Sequence, residues 1–170
     1  LISLAAGLED SAQLRQAARS TLESLEPRAP GQRPATSASA LFEALTTQIR
    51  SLSPEAHLAV STAVDRPVPA AVSQALADAV MEALRNSLRH AGGEEGPGSV
   101  ERRIEMRSDA EGVAVVVSDD GRGFDPAAPA PGRHGLTGSI GTRLHDAGAT
   151  ARIRSAPGHG TAVSMTWAPS

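Results

Sequence analysis

Cysteine is absent from the chain. That removes disulfides and thiolate metal sites, and it fits a reducing compartment. Aromatic residues make up only 2%, so a core drawn from the 40% hydrophobic content must be built from alanine, leucine and valine. No apolar run approaches the ~18–20 residues of a membrane span, and no signal peptide is visible. A strong charge imbalance is also missing, since 16 basic residues nearly offset 19 acidic ones. A formal net charge of −3 is too mild for a nucleic-acid surface or a basic membrane patch. What is present amounts to 170 residues and 17.4 kDa, one ordinary domain with a flanking helix. The first residue is Leu1 rather than methionine, so the sequence reads as a piece of something longer.

The stretch with the most to say is Ser118-Asp119-Asp120-Gly121-Arg122-Gly123-Phe124-Asp125-Pro126. It follows Val113-Ala114-Val115-Val116-Val117, a β-branched run that reads as a buried strand. Two carboxylates there meet two glycines one residue apart. Glycine lets a ligand approach the backbone closely, and a carboxylate beside such a turn can accept hydrogen bonds from an amino group. A purine with an exocyclic amine suits that pairing. A plain turn suits it as well. The phosphate loop of a dinucleotide fold does not, because it needs a helix opening at the glycines. The prolines Pro126, Pro129 and Pro131 prevent one.

Taken in order, Leu4, Leu8, Ser11, Ala18, Leu22 and Leu25 predict an amphipathic helix over residues 3–26. Its stripe fits either a coiled-coil or bundle partner or its own domain. Pro27, Gly31 and Pro34 mark a linker, so we divide the chain into residues 1–34 and a domain of residues 35–170. A second helix spans residues 38–52, with Leu41, Leu45, Ile49 and Leu52 on one face, and residues 57–64 alternate as a strand. The longest helix, residues 70–91, buries Val72, Leu76, Ala79, Val80, Ala83, Leu84 and Leu88. It turns Asp78, Glu82, Arg85, Asn86 and Arg89 the other way, and Gly92-Gly93 cap its end. Residues 94–99 form a loop. Residues 100–108 and 112–118 make a hairpin-like strand pair, and residues 126–133 are irregular. Residues 135–147 run from a glycine-rich loop into a helix, and residues 150–155 and 161–167 are two more strands. Helices before and between mostly antiparallel strands predict an α+β fold, a two-layer sandwich with the helices on one face of a mixed sheet.

Three glycine turns and one polar helix face share an explanation in a magnesium–triphosphate site. Mg²⁺ prefers hard oxygen ligands and is usually held by one or two protein groups plus phosphates and water. The amide oxygen of Asn86 can be such a ligand, and Glu82, one turn earlier, could position or deprotonate a nucleophile. Backbone N–H groups near Gly135 and Gly138 could receive phosphate oxygens. Asp119 would accept from the adenine amine, where guanine presents a carbonyl. The plainer alternative for Glu82, Asn86 and Arg89 is a solvated helix face.

These motifs together resemble the GHKL ATPases, which include sensor histidine kinases, gyrase-type topoisomerases, heat-shock chaperones and mismatch-repair MutL. Glu82-Ala-Leu-Arg-Asn86-Ser-Leu-Arg89-His90-Ala91 resembles their N box, and Asp119-Asp-Gly121-Arg-Gly123-Phe124 their G1 box. Gly135-Leu136-Thr-Gly138-Ser-Ile-Gly-Thr-Arg143 resembles the G2 region, and Gly158-His-Gly160-Thr161 the last glycine turn. The Arg-His-Ala ending and Trp167 look most like NarL/DesK-type kinases of actinobacteria. The resemblance covers about residues 38–168. It implies a Bergerat fold that binds ATP and Mg²⁺, with Asp119 on the adenine, Asn86 on magnesium and Glu82 as base or nucleophile-positioning residue. It also implies nucleotide contacts from Gly121, Gly123, Phe124, Leu136 and Thr161, and a short lid over residues 124–134 with Gly135 and Gly138 as hinge and phosphate contacts. Arg89 and His90 face the phosphates or finish the helix.

Two departures qualify the resemblance. None of His57, His90, His134, His145 and His159 lies in the amino-terminal helix. A phosphoacceptor histidine would then belong to a helix upstream, with residues 3–26 as the second helix of a dimerisation domain. Residues 139–142 also replace the usual Met-Arg-Glu-Arg of the G2 region. The expected function is the catalytic ATP-binding domain of a two-component sensor histidine kinase. It would pass the γ-phosphoryl to a histidine outside this chain, in its own or a partner's phosphoacceptor domain, and a response regulator would take it from there. It would be cytoplasmic, touching neither nucleic acid nor membrane itself, in a full-length protein with or without an anchor. An anti-sigma serine kinase and a non-catalytic nucleotide-gated module are the alternatives.

Overall fold

A computed structural model describes residues 35–92, 100–125 and 140–169. The amino-terminal helix and linker, the residue 94–99 loop, the residue 126–133 segment, and Gly135, Leu136 and Gly138 lie outside the described residues.

Strand β1 (Ala35–Ser37) leads directly into helix α1 (Ala38–Leu52). Ser37 caps that helix, its hydroxyl accepting from the Ala40 amide at 3.2 Å. Asp65, arriving from a distant turn, accepts from the Ser39 amide at 2.9 Å and the Ser39 hydroxyl at 2.8 Å. A carboxylate at a helix N-terminus satisfies an orphan donor and complements the helix dipole. The Ser39 backbone and hydroxyl bonds hold the Asp65 carboxyl below its ordinary pKa. At the other end Arg50 donates to the carbonyls of Pro54 and Ala56, at 2.7 and 2.9 Å, closing the turn into β2 (His57–Thr62). Strand β3 (Pro67–Pro69) pairs antiparallel with β1, and helix α2 (Ala70–His90) follows.

Strands β4 (Arg102–Ser108) and β5 (Val113–Asp119) form the predicted hairpin. Helix α3 (Ile140–Asp146) and strands β6 (Thr150–Ser155) and β7 (Thr161–Trp167) complete the described chain. The five-stranded sheet runs β2-β4-β5-β7-β6. Only the β2–β4 pair is parallel, with α2 as its crossover. This is the predicted α+β arrangement with a mixed, mostly antiparallel sheet.

One face of that sheet takes the helices. Residues Ile104 and Met106, Val115 and Val117, Val163 and Met165 are at most 3% exposed. They meet Leu41, Phe42, Leu45 and Ile49 of α1, Leu76, Val80 and Leu84 of α2, and Ile140 and Leu144 of α3. Burying one such aliphatic side chain contributes about 1.5–3 kcal/mol. Alanine and methionine fill the space that aromatics occupy in other cores, and Phe42 is the one phenylalanine among the core residues.

Several local expectations are corrected. β1 occupies residues 35–37, for which the sequence pattern predicts no element, and β3 occupies a stretch that reads as a turn. β2 ends at Thr62 rather than residue 64, and all of it but Leu58 is exposed because it is an edge strand. The C-cap of α2 is Ala91 in right-handed backbone, not the glycine pair. Among the described residues, no helix is long and apolar enough to cross a membrane.

Candidate functional site

Strand register sorts the helix-facing side of the sheet into rows. One row reads Leu58, Ile104, Val117, Val163, Ile153, and it is wholly apolar. The row beyond it, at the C-terminal end of β5, reads Arg102, Asp119, Thr161, Ser155. Side chains along a strand alternate between faces, so these four polar residues share the face of the core and lie at its margin. The change from apolar to polar takes a single row.

Asp119 is fixed by its own turn and by the next strand. Its Oδ1 accepts from the Gly121 amide at 3.1 Å and from the Thr161 amide at 3.2 Å. Among the described residues Oδ2 takes no partner, so one carboxylate oxygen is anchored and the other is available to accept. Two glycines let the backbone close around this group. Gly160, at φ +68°, packs against the Asp119 carbonyl, and Gly123, at φ +57°, packs against the carbonyls of Ala156 and Gly160. Residues with a Cβ rarely adopt that backbone. The Arg122 carbonyl accepts from the Gly158 amide at 2.7 Å, which joins the two glycine turns.

The same turn docks on α2. The Arg122 amide donates to the Ala91 carbonyl at 2.9 Å, and a Cβ on Gly121 would come within 2.5 Å of the Ala91 Cβ. Asn86 lies five residues before that contact, about 7.5 Å along the helix axis. Its Nδ2 donates to Glu82 Oε1 at 3.2 Å, and both side chains are half-buried. That bond orients the amide and leaves Oδ1, a hard oxygen, unpartnered among the described residues. Such an atom fits the single protein ligand that Mg²⁺ commonly takes beside phosphates and water. No cluster of three or more His, Asp or Glu residues able to hold a metal occurs among the described residues.

Asp119, Gly121, Gly123, Phe124 and Thr161 thus converge on one end of the sheet, and Glu82 and Asn86 occupy the helix that this end abuts. Arg89 and His90 are exposed in the last turn of α2. Their side chains take no hydrogen bond or ion pair from another described residue, and the Arg89 charge complements the helix C-terminus.

Two members of the polar row were not among the expected site residues. Arg102 is 3% exposed and donates from Nε to Ser87 Oγ at 3.1 Å, which ties β4 to the residue after Asn86. Ser155 bonds to Phe124, Gly160 and Thr161. Neither stands in a motif. The signal for both is strand register, which a single sequence does not display. A groove of about 500 Å³ between α1 and β2, lined by Ser39, Phe42, Glu43, Thr46, Thr47, Val60 and Thr62, lies away from this row and has one ionisable lining residue. The convergent polar groups, not that hollow, mark the candidate site.

Residues 6–167 match the family described as histidine kinase-like ATPase domain. The chain is similar in structure to the histidine kinase domain of the Erythrobacter litoralis EL346 blue-light activated histidine kinase. The TM-score is 0.59 at 21% identity, covering 82% of this chain and 70% of that one. It spans 42% of a longer structure of that same kinase. The ATP binding domain of PrrB from Mycobacterium tuberculosis gives a TM-score of 0.57 at 17% identity, over 81% of this chain and 98% of that one. At such identities the likeness is one of fold. No curated protein matches the sequence.

Proposed function

This chain belongs to the histidine kinase-like ATPase family, and on that premise we propose that it is the catalytic ATP-binding domain of a two-component sensor histidine kinase. Asp119 Oδ2 accepts from the adenine amine. Asn86 Oδ1 would hold Mg²⁺, which when bound would neutralise charge on the phosphates. Glu82, held by Asn86, orients the attacking imidazole and accepts its proton. A nitrogen–phosphorus bond forms to the acceptor histidine as the bond from the γ-phosphorus to the bridging oxygen of ADP breaks. The chain's contribution is positioning and electrostatics. The acceptor histidine, in the kinase's own or a partner's phosphoacceptor domain, lies outside this chain, and a response regulator receives the phosphoryl group. Domain boundaries at residue 34, with residues 1–34 as the end of a dimerisation helical domain, are part of this reading. So are phosphate contacts from Gly135, Leu136 and Gly138 and a cytoplasmic location.

The observation that carries the proposal is the divided carboxylate of Asp119, one oxygen bound by two amides and the other open, at the end of the sheet that abuts the Asn86 helix. Titration of the chain with MgATP tests it. Asp119→Asn and Asn86→Ala should each weaken binding about 10- to 100-fold, the span of a hydrogen bond to a charged group. Full affinity in both variants defeats the assignment. In a longer protein that includes the acceptor histidine, Glu82→Gln should abolish radiolabel transfer from ATP while leaving MgATP affinity in place.

A further inference from the structure

We infer that Ser155 is a positioning residue for purine selectivity, acting through the hydroxyl of Thr161. The inference deepens the adenine-binding reading of Asp119 and rests on it.

Ser155 ends β6, half-buried, at the outer end of the polar row. Its Oγ lies 2.9 Å from three atoms: the Phe124 amide nitrogen, the Gly160 carbonyl oxygen and Thr161 Oγ1. A serine hydroxyl has one proton and two lone pairs. The Phe124 amide can only donate and the Gly160 carbonyl can only accept. If all three contacts are hydrogen bonds, the Ser155 proton goes to Gly160 and its lone pairs receive Phe124 N–H and Thr161 O–H. Thr161 therefore spends its proton on Ser155, and its remaining capacity is acceptance alone.

Thr161 is the cross-strand partner of Asp119 on β5, and directly opposed residues hold their Cβ atoms about 5 Å apart. The end of the sheet then offers a ligand Asp119 Oδ2 and Thr161 Oγ1, both acceptors. A purine amine at the six-position meets them favourably, whereas a six-position carbonyl faces oxygen lone pairs with no donor. Without Ser155, the Thr161 hydroxyl could rotate and donate, and the six-position carbonyl would gain a partner. The same serine holds the Phe124 amide, adding a second side-chain tie, beside that of Asp119, between the turn after β5 and β7.

The test compares affinities for MgATP and MgITP, which differ in amine against carbonyl at the six-position and in the proton hypoxanthine carries on N1, using the full 170-residue chain. Wild type should prefer ATP. Ser155→Ala should cut that preference about tenfold, by weakening ATP, strengthening ITP or both. Ser155→Thr, which keeps the hydroxyl, should restore it. Thr161→Val, which removes the second acceptor but keeps the side-chain shape, should cut the preference to a similar degree even if Ser155→Ala does not fold. Equal loss of both nucleotides in Ser155→Ala, or an unchanged preference in Thr161→Val, overturns the role of Ser155 and leaves Asp119 untouched. A wild-type chain that binds neither nucleotide overturns the adenine reading itself, and this inference with it.

Discussion

Asp65 shows how much one exposed side chain can organise. It reaches from the turn after β2 to the first turn of α1 and takes two bonds from Ser39. Its carboxyl lies below the ordinary value of 3.8, chiefly through the Ser39 amide and then the Ser39 hydroxyl. A depressed carboxylate stabilises the fold where it is ionised in both states, and that contribution disappears as pH falls through the folded-state value. Asp65→Ala should therefore lower the Tm at pH 7, and the gap to wild type should close as the pH is taken below about 4. A gap independent of pH in thermal melts from pH 7 to pH 3 would contradict this. Nothing in the local pattern around Asp65 indicates the partner, because Ser39 is 26 residues away. Asp119 is the opposite case. Its place at a tight turn closing the strand is legible because the carboxylate, the glycines and the preceding β-branched strand are contiguous. Ser155 and Arg102 join it only through pairing with distant strands.

At the scale of elements, the turn after β5 sits on the end of α2 with no room to spare. Gly121 has no positive φ, so its requirement for glycine is contact alone. Gly121→Ala should cost about 1–3 kcal/mol, the usual range for overpacking, and should weaken ATP binding by lifting Asp119 away from the Asn86 helix. Gly141 is the internal control. It lies within α3 and an added Cβ would meet nothing within 4 Å. Gly141→Ala should stabilise by up to about 1 kcal/mol through helix propensity. Chemical denaturation of the two variants should move their midpoints in opposite directions. Elements were legible where periodicity was sustained: β6 and β7 match their predicted bounds, and α2 ends within one residue of its prediction. β1 and β3 were not, since three residues establish no period and Pro67 and Pro69 read as a turn. The exposure of β2 was missed for a different reason. Whether an alternating strand is central or at an edge depends on its neighbours, and those of β2 lie beyond α2.

Over the whole molecule, the sheet is assembled from two local hairpins, β4–β5 and β6–β7, and two long-range pairings. The β2–β4 pairing waits on the α2 crossover, and the β5–β7 pairing brings Asp119 to Thr161 across 42 residues. Contacts of that separation form late and slowly compared with hairpins. The polar row straddles the β5–β7 seam, with Arg102 and Asp119 on one hairpin and Thr161 and Ser155 on the other. Neither hairpin alone carries the whole row, so under the proposed function nucleotide has nothing to grip until the seam closes. ATP should act as a latch rather than a template. At a hundredfold excess of MgATP over its Kd, the native state gains about 2.7 kcal/mol. That gain should appear as unfolding slowed about a hundredfold, with the refolding rate unchanged. Stopped-flow chevrons with and without MgATP would distinguish the two limbs, and faster refolding would mean that the seam closes before the rate-limiting barrier.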